Sequence, residues 1–96
     1  MTTMYNPPHP GGTLKEALQG IPMTVTEFAA YLGVSRNTLS RVLNEKAGIT
    51  AAMSIKISEA FAQPSRDIWF KMQNAYDFWQ ASKVARKKIK PLKLAA

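Results

Sequence analysis

Apolar residues recur along the chain at helical spacing, in short bursts separated by glycine, proline and small polar residues. Leu14, Ala17 and Leu18 stand at i, i+3 and i+4 and predict a short helix over Thr13–Gln19, ended by Gly20 and Pro22. Before it, Met1–Gly12 carries Pro7, Pro8, Pro10 and a Gly-Gly pair and reads as an irregular arm. Val25, Phe28, Ala29 and Leu32 mark a second helix. Thr24 and Glu27 at its start have capping-box spacing, and Gly33 ends it as a left-handed residue would. Ser35 caps a third helix, which runs to about Leu43 with Leu39, Val42 and Leu43 inward. After a polar loop, Asn44–Ile49, Thr50 caps a fourth helix over Ala51–Ala62 with Met53, Ile57, Ala60 and Phe61 as its apolar stripe. Gln63-Pro64-Ser65 reads as a break followed by a cap. A fifth helix is expected from Arg66 to at least Ser82, with Asp67 placed favourably against its positive N-terminal end. Alternating strand patterns of useful length and internal repeats are absent. The expected fold class is all-α, a compact bundle of about five helices.

Val25–Asn44 has the grammar of a helix-turn-helix. A short helix is followed by the turn Leu32-Gly33-Val34-Ser35, with glycine where the chain reverses. Ala29, four residues before Gly33, lets two helices approach closely, and Leu39 and Val42 can pack back on Phe28, Ala29 and Leu32. The outward face of the second helix of the pair is Arg36, Asn37, Thr38, Ser40, Arg41 and Asn44, with no acid. Arginine offers a bidentate fork to guanine O6 and N7, and asparagine pairs with adenine N6 and N7. Serine, threonine and lysine suit phosphates. The competing reading is an inert or protein-binding helical hairpin with a solvated polar face; the combination of turn, cap, anchors and acid-free face favours DNA.

Ninety-six residues make one domain, and 46% apolar content is ordinary for a globular chain. The absence of cysteine excludes disulfides and thiolate metal sites. His9 is the only histidine, so a conventional zinc site is excluded and the residue reads as surface decoration in the arm. Asp67 and Asp77, ten residues apart on one helix, do not make a carboxylate dyad, and no phosphate loop or nucleophile–base arrangement stands out. The expectation is therefore no enzyme, no metal and no cofactor. No apolar run approaches the about 18 residues of a membrane span, and Met1–Pro10 lacks a signal-peptide pattern, so a cytoplasmic protein is expected.

The net charge of +7 is concentrated at one end. Lys83, Arg86, Lys87, Lys88, Lys90 and Lys93 follow one another without an acid, while residues 1–82 hold the other seven basic and all six acidic residues, a balance of +1. The tail reads either as a solvated run or as a source of phosphate contacts. Aromatics do not interleave with its lysines, which excludes a single-strand stacking groove. The expected organisation is an arm over 1–12, a DNA-binding body over 13–82 and a basic tail over 83–96.

The chain resembles the HigA-type antitoxins, a branch of the XRE-like helix-turn-helix regulators. The resemblance rests on His9-Pro10-Gly11, on VTEFAAYLGVSRNTLSRVLNEKAGIT and on IWFKMQNAYDFWQASK, where Trp69, Gln73, Tyr76, Asp77 and Trp79 point to this branch. It covers roughly residues 8–83 and departs from the family at Gly12, where glutamate is usual. It implies a lambda-repressor-like bundle that dimerises, binds the operator of its own two-gene operon and neutralises a HigB-type toxin that cleaves mRNA on ribosomes. Carried onto this sequence, it implies base contacts from Arg36, Asn37, Thr38 and Arg41. It implies phosphate contacts from Thr24, Ser40, Asn44 and Lys46. A stand-alone regulator of the same fold without a toxin is the alternative, and an interaction-only helical module a third.

On a helical wheel, Ile68, Trp69, Met72, Ala75, Tyr76 and Trp79 form one stripe of the last helix. Phe70 and Phe78 fall on another side, with Asn74 between them. Either the arm carrying Met4 and Tyr5 covers these phenylalanines, or a second copy does. The expected dimer interface is Phe70, Asn74 and Phe78.

Overall fold

The computed structural model describes residues 6–93. Met4 and Tyr5, offered above as cover for the outer phenylalanines, lie outside the described residues, as do 94–96 of the tail. Five helices follow in order: α1 Pro10–Gln19, α2 Val25–Leu32, α3 Arg36–Leu43, α4 Ala51–Ala60 and α5 Ile68–Ser82. Among the described residues there is no strand, and no helix is long and apolar enough to cross a membrane. The fold is all-α, as the periodicity predicts.

The core is built from one stripe of each helix: Leu14 from α1, Phe28, Ala29 and Leu32 from α2, Leu39, Val42 and Leu43 from α3, Met53 and Ile57 from α4, and Trp69 from α5, with Ile49 from a loop. The Phe61 ring stacks beside Phe28 at 5.9 Å between centroids and lies 6.3 Å from Trp69, so the aromatics join α2 to α5 across the end of α4.

The arm is shorter than expected. α1 starts at Pro10, not Thr13, because proline at a first helical position has a preset φ and no N–H to lose. His9 is its N-cap, and Nδ1 accepts the Gly11 N–H at 2.9 Å. The side chain is buried, and its ring meets Tyr76 of α5 edge-on at 4.8 Å. His9 is thus a structural clasp between α1 and α5, not surface decoration. Gly11 is buried against α3, where an added Cβ would run into the Val42 carbonyl. Gly12 beside it has only the end of the Glu45 side chain in its way.

α4 stops at Ala60, earlier than expected, since Phe61 leaves the helix and Ala62 takes a left-handed φ of 54°. Its inner side includes Ser54 and Ser58, which are buried beside Met53 and Ile57, whereas Ala60 and Phe61 are only half-buried. The serines receive the entry of α5. Ser54 Oγ donates to the Arg66 carbonyl at 2.8 Å and accepts the Phe70 N–H at 3.1 Å. Ser58 Oγ donates to the Ser54 carbonyl, with the Arg66 carbonyl 3.1 Å away. With the Arg66 carbonyl drawn to these hydroxyls, α5 begins at Ile68 instead of Arg66. Ser65 does not cap it; its hydroxyl donates to Asp67 Oδ1 at 2.7 Å. That hydrogen bond, aided by the Lys71 ammonium at 3.4 Å, holds the exposed Asp67 carboxyl below its ordinary range.

α5 is also rotated from the expected stripe. Trp69 and Gln73 are buried, Ile68, Met72, Tyr76, Trp79 and Gln80 are half-buried, and Ala75 is exposed. Gln73 is held inward through its amide: Oε1 accepts the buried Ile49 N–H at 2.9 Å, and Nε2 donates to Asp77 Oδ1 at 3.0 Å. Gly48 leaves room for it, since a Cβ there would lie 3.0 Å from Gln73 Cδ. Among the described residues every buried side-chain nitrogen and oxygen has a partner.

These contacts set two expectations for stability. Gly11→Ala loses about 1–3 kcal/mol through overpacking, whereas Gly12→Ala is neutral or gains up to about 1 kcal/mol of helix propensity. Thermal melts of the two variants compare them directly; equal midpoints would refute the close approach at Gly11. Gln73→Leu leaves the Ile49 N–H buried without an acceptor and costs about 1–3 kcal/mol. Amide exchange should quicken at Ile49 ahead of the core amides of α2.

Candidate nucleic-acid interface

α3 carries most of the candidate side chains, and its ends are fixed locally. Ser35 Oγ accepts the Thr38 N–H at 3.0 Å and donates to Thr38 Oγ1 at 2.8 Å. The preceding turn needs Gly33 for its left-handed φ of 77° alone, since nothing stands within 4 Å of a Cβ added there. Leu39, Val42 and Leu43 are buried against the body. The opposite side is thereby forced outward: Arg36, Asn37, Thr38, Arg41 and Asn44 are exposed, and Ser40 is half-buried.

Two hollows flank α3. In the first, a groove of about 350 Å³, Thr24 at the start of α2 meets Arg36, Ser40 and Asn44 of the third helix and its end, together with Lys15 of α1. In the second, of about 200 Å³, Asn37, Thr38 and Arg41 meet Thr50 at the start of α4. No carboxylate lines either hollow. Glu16 and Glu45 instead line a separate open hollow with His9 and Tyr76. Both flanking helix starts are capped by threonine. Thr24 Oγ1 accepts the Glu27 N–H at 3.1 Å while Glu27 Oε1 accepts the Thr24 N–H at 2.8 Å, the full capping box. Thr50 Oγ1 accepts the Met53 N–H at 3.2 Å. Remaining first-turn N–H groups at such ends suit an anion.

Several candidates already have internal partners. Arg41 Nη2 donates to the Lys46 carbonyl at 3.3 Å, so the guanidinium bridges α3 to the loop behind it. Asn44 Nδ2 donates to Ser40 Oγ at 3.4 Å. Lys46 is exposed in that loop, just after Glu45, whose φ is 60°. The loop is held from behind by the bond from Ile49 to Gln73. The arrangement is a protruding helix with hydrogen-bonding side chains and cations, flanked by two helix starts, and that chemistry suits a base edge between two phosphate backbones.

Lys15 and Thr50 were not among the sequence-derived candidates. Lys15 looks like any solvated lysine of an amphipathic helix, and Thr50 was legible as a cap but not as a neighbour of α3. The three candidate interface residues of α5 sit apart from this face. Phe70 is half-buried in a shallow apolar hollow with Ala51 and Ile55, Asn74 is exposed, and Phe78 is 77% exposed. Among the described residues no group of three or more histidine, aspartate or glutamate side chains is placed to hold a metal.

The model of the helix-turn-helix family matches residues 14–68. Virulence-associated protein A' of Dichelobacter nodosus is 39% identical over 89 residues, covering 93% of this chain and 77% of the relative. Among solved structures, a putative antidote protein of a plasmid maintenance system from Nostoc punctiforme superposes with a TM-score of 0.76 at 29% identity, over 82% of this chain and 86% of that one. The Pseudomonas aeruginosa antitoxin HigA, solved with the higBA promoter, gives a TM-score of 0.73 at 32% identity, over 78% of this chain and 82% of that one. The family consists of DNA-binding regulators and antitoxins, not of enzymes. This chain belongs to the helix-turn-helix family, with HigA-type antitoxins among its structural neighbours.

Proposed function

We propose that the chain is a dimeric antitoxin that binds operator DNA, represses its own operon and neutralises a HigB-type mRNA-cleaving toxin. The observation that carries the DNA reading is the pair of carboxylate-free hollows on either side of α3, each opened by a helix start. Arg36, Asn37, Thr38 and Arg41 are assigned to base edges in the major groove. Thr24, Ser40, Asn44 and Lys46 are assigned to phosphates, and Lys15 and Thr50 join them on the two flanks. The neighbour solved with the higBA promoter supports the DNA-binding reading. The toxin part rests on the resemblance to antitoxins, and co-expression with the product of the adjacent gene tests it. A footprint upstream of the protein's own gene that is the same with and without that neighbour would favour a stand-alone regulator.

α3 is eight residues long, about 12 Å, and reads only a few base pairs. A two-fold dimer sets two such helices about 34–36 Å apart, one turn of DNA, and doubles the sequence read. The body at 13–82 is assigned both roles, with α5 as the dimerisation helix. Its outer side carries Phe78, 77% exposed, with Asn74, while Phe70 leans on α4.

Arg36→Ala or Arg41→Ala should cost about 1–3 kcal/mol in operator binding and relax discrimination at one position. Competition against scrambled duplex checks this, and equal weakening on both DNAs would reduce the two arginines to phosphate contacts. For the dimer, sedimentation should show the wild type as a dimer at micromolar concentration and Phe70→Glu, Phe78→Glu as a monomer. A double variant that dimerises as well as its parent would place the interface elsewhere.

A further inference from the structure

We propose that the segment from Lys83 to Lys93 is a second DNA contact, an extended arm that follows the phosphates of duplex DNA without reading sequence. The proposal rests on the DNA-binding reading above and adds a site outside the helix-turn-helix. Beyond Lys83 the described chain has no helix, and every side chain from Ala81 to Lys93 is exposed. At its root Lys83 Nζ sits over the Trp79 ring, 4.0 Å from the centroid, and anchors the arm to α5. The two ion pairs found among the described residues, Arg66 with Glu59 and Lys71 with Asp67, both lie before the arm.

The partner is identified by what the arm has and lacks. Six cations and no acid follow one another here, whereas the preceding 82 residues balance at +1. Val84, Ile89 and Leu92 are exposed, at 61, 82 and 83%. In the extended chain they do not share a face, since Ile89 points opposite to Val84 and Leu92. A helix would gather them within about 140°, but the described segment is not helical and Pro91 interrupts one. The arm therefore has no apolar stripe to lay on a membrane or into a protein groove, and no aromatic ring to stack on single strands. In the extended chain its cations fall on both sides, Lys83, Lys87 and Lys93 on one and Arg86, Lys88 and Lys90 on the other. That distribution fits a surface of closely spaced negative charge, and duplex DNA carries one phosphate charge per about 1.7 Å of axis. Eleven extended residues reach about 36–40 Å, on the order of one DNA turn. Because the arm and α3 belong to one chain, docking of α3 would raise the effective concentration of the arm at the duplex, to about millimolar for a short flexible link.

The test uses the full chain and the variant Arg86→Gln, Lys87→Gln, Lys88→Gln, Lys90→Gln, Lys93→Gln, with Lys83 kept on Trp79. Binding to a duplex from upstream of the gene and to a scrambled duplex is measured from about 50 to 200 mM salt. The slope of log affinity against log salt should flatten by about 2 to 4.5, at about 0.9 for each phosphate that the variant no longer neutralises, and to the same extent on both DNAs. An unchanged slope overturns the proposal, and a weakening confined to the upstream duplex overturns its sequence-blind character. Vesicles of phosphatidylcholine with phosphatidylglycerol form the remaining arm of the experiment. If the wild type takes vesicles in preference to DNA and the variant loses only that binding, the segment is a membrane contact and the proposal falls. The two readings fail separately. A wild type that prefers neither duplex but has a steep slope that the variant lacks refutes sequence recognition and keeps the arm. A variant that retains both the preference and the slope keeps recognition and refutes the arm.

Discussion

The bond from the buried Ile49 N–H to Gln73 Oε1 ties the loop behind α3 to α5. Ile49 ends the loop that leads from α3 to α4, and its amide is 24 residues from its acceptor in sequence. A buried backbone N–H without a partner costs about 1–3 kcal/mol, so the acceptor's place is demanded by the loop. Meeting that demand turns α5 about its axis until Gln73 faces inward among Trp69, Met72 and Tyr76. Two consequences reach opposite surfaces. On one, the loop behind α3 is held, and with it the carbonyl of Lys46 that receives Arg41. On the other, Asn74, Ala75 and Phe78 are turned to solvent. The exposed side of α5 is the geometric remainder of satisfying one amide.

What the sequence makes legible follows from range. The caps of α2, α3 and α4, the Gly33 turn and the inward residues of α2 and α3 are set by partners three to five residues away. The spacing of Thr24 and Glu27, or of Ser35 and Thr38, therefore predicts them. The misjudged features depend on residues far along the chain. Pro10 starts α1 because His9 caps it, and His9 is buried because Tyr76, 67 positions later, receives its ring. α5 starts late because Ser54 and Ser58 of another helix take the Arg66 carbonyl. Gln73 reads as a polar residue that belongs outside until Ile49 is known to need it. Ala75 reads as core for the mirror reason. For the candidate interface, residue type and helical spacing sufficed to place Arg36, Asn37, Thr38 and Arg41 outward. Lys15 and Thr50 needed the packing of α1 and α4 against α3.

The recognition face is partly prepared before any partner arrives. Thr38 is fixed by Ser35, Asn44 by Ser40, and Arg41 by the Lys46 carbonyl. Side chains already held near one geometry lose less rotamer freedom on binding, which can otherwise cost about 0.5–1.5 kcal/mol for each one immobilised. Arg36 and Asn37, at the start of α3, are exposed and lie in different flanking hollows. In the proposed assignment, Thr38 and Arg41 would meet base edges from positions already held within the chain, whereas Arg36 and Asn37 would be ordered on binding.

Charge is divided along the same lines. With the body at +1, the proposed DNA binding rests on the fit of α3 and its two flanks more than on net charge. A tail at +6 is indifferent to fit and depends on salt. Phosphate contacts carry no sequence information, so an arm that strengthens binding to every duplex equally would leave the ratio that separates operator from bulk DNA unchanged. If the arm binds as proposed, that ratio is left to the body, and the arm adds a salt-dependent contribution common to all sequences. In a two-fold dimer formed through α5, the roots of both arms leave from helices at the interface. The sequence-blind charge would then be doubled next to the axis, while the two copies of α3 read the half-sites. This geometry would bring together the outward turn of Phe78, the anchor of Lys83 on Trp79 and the charge gradient of the chain.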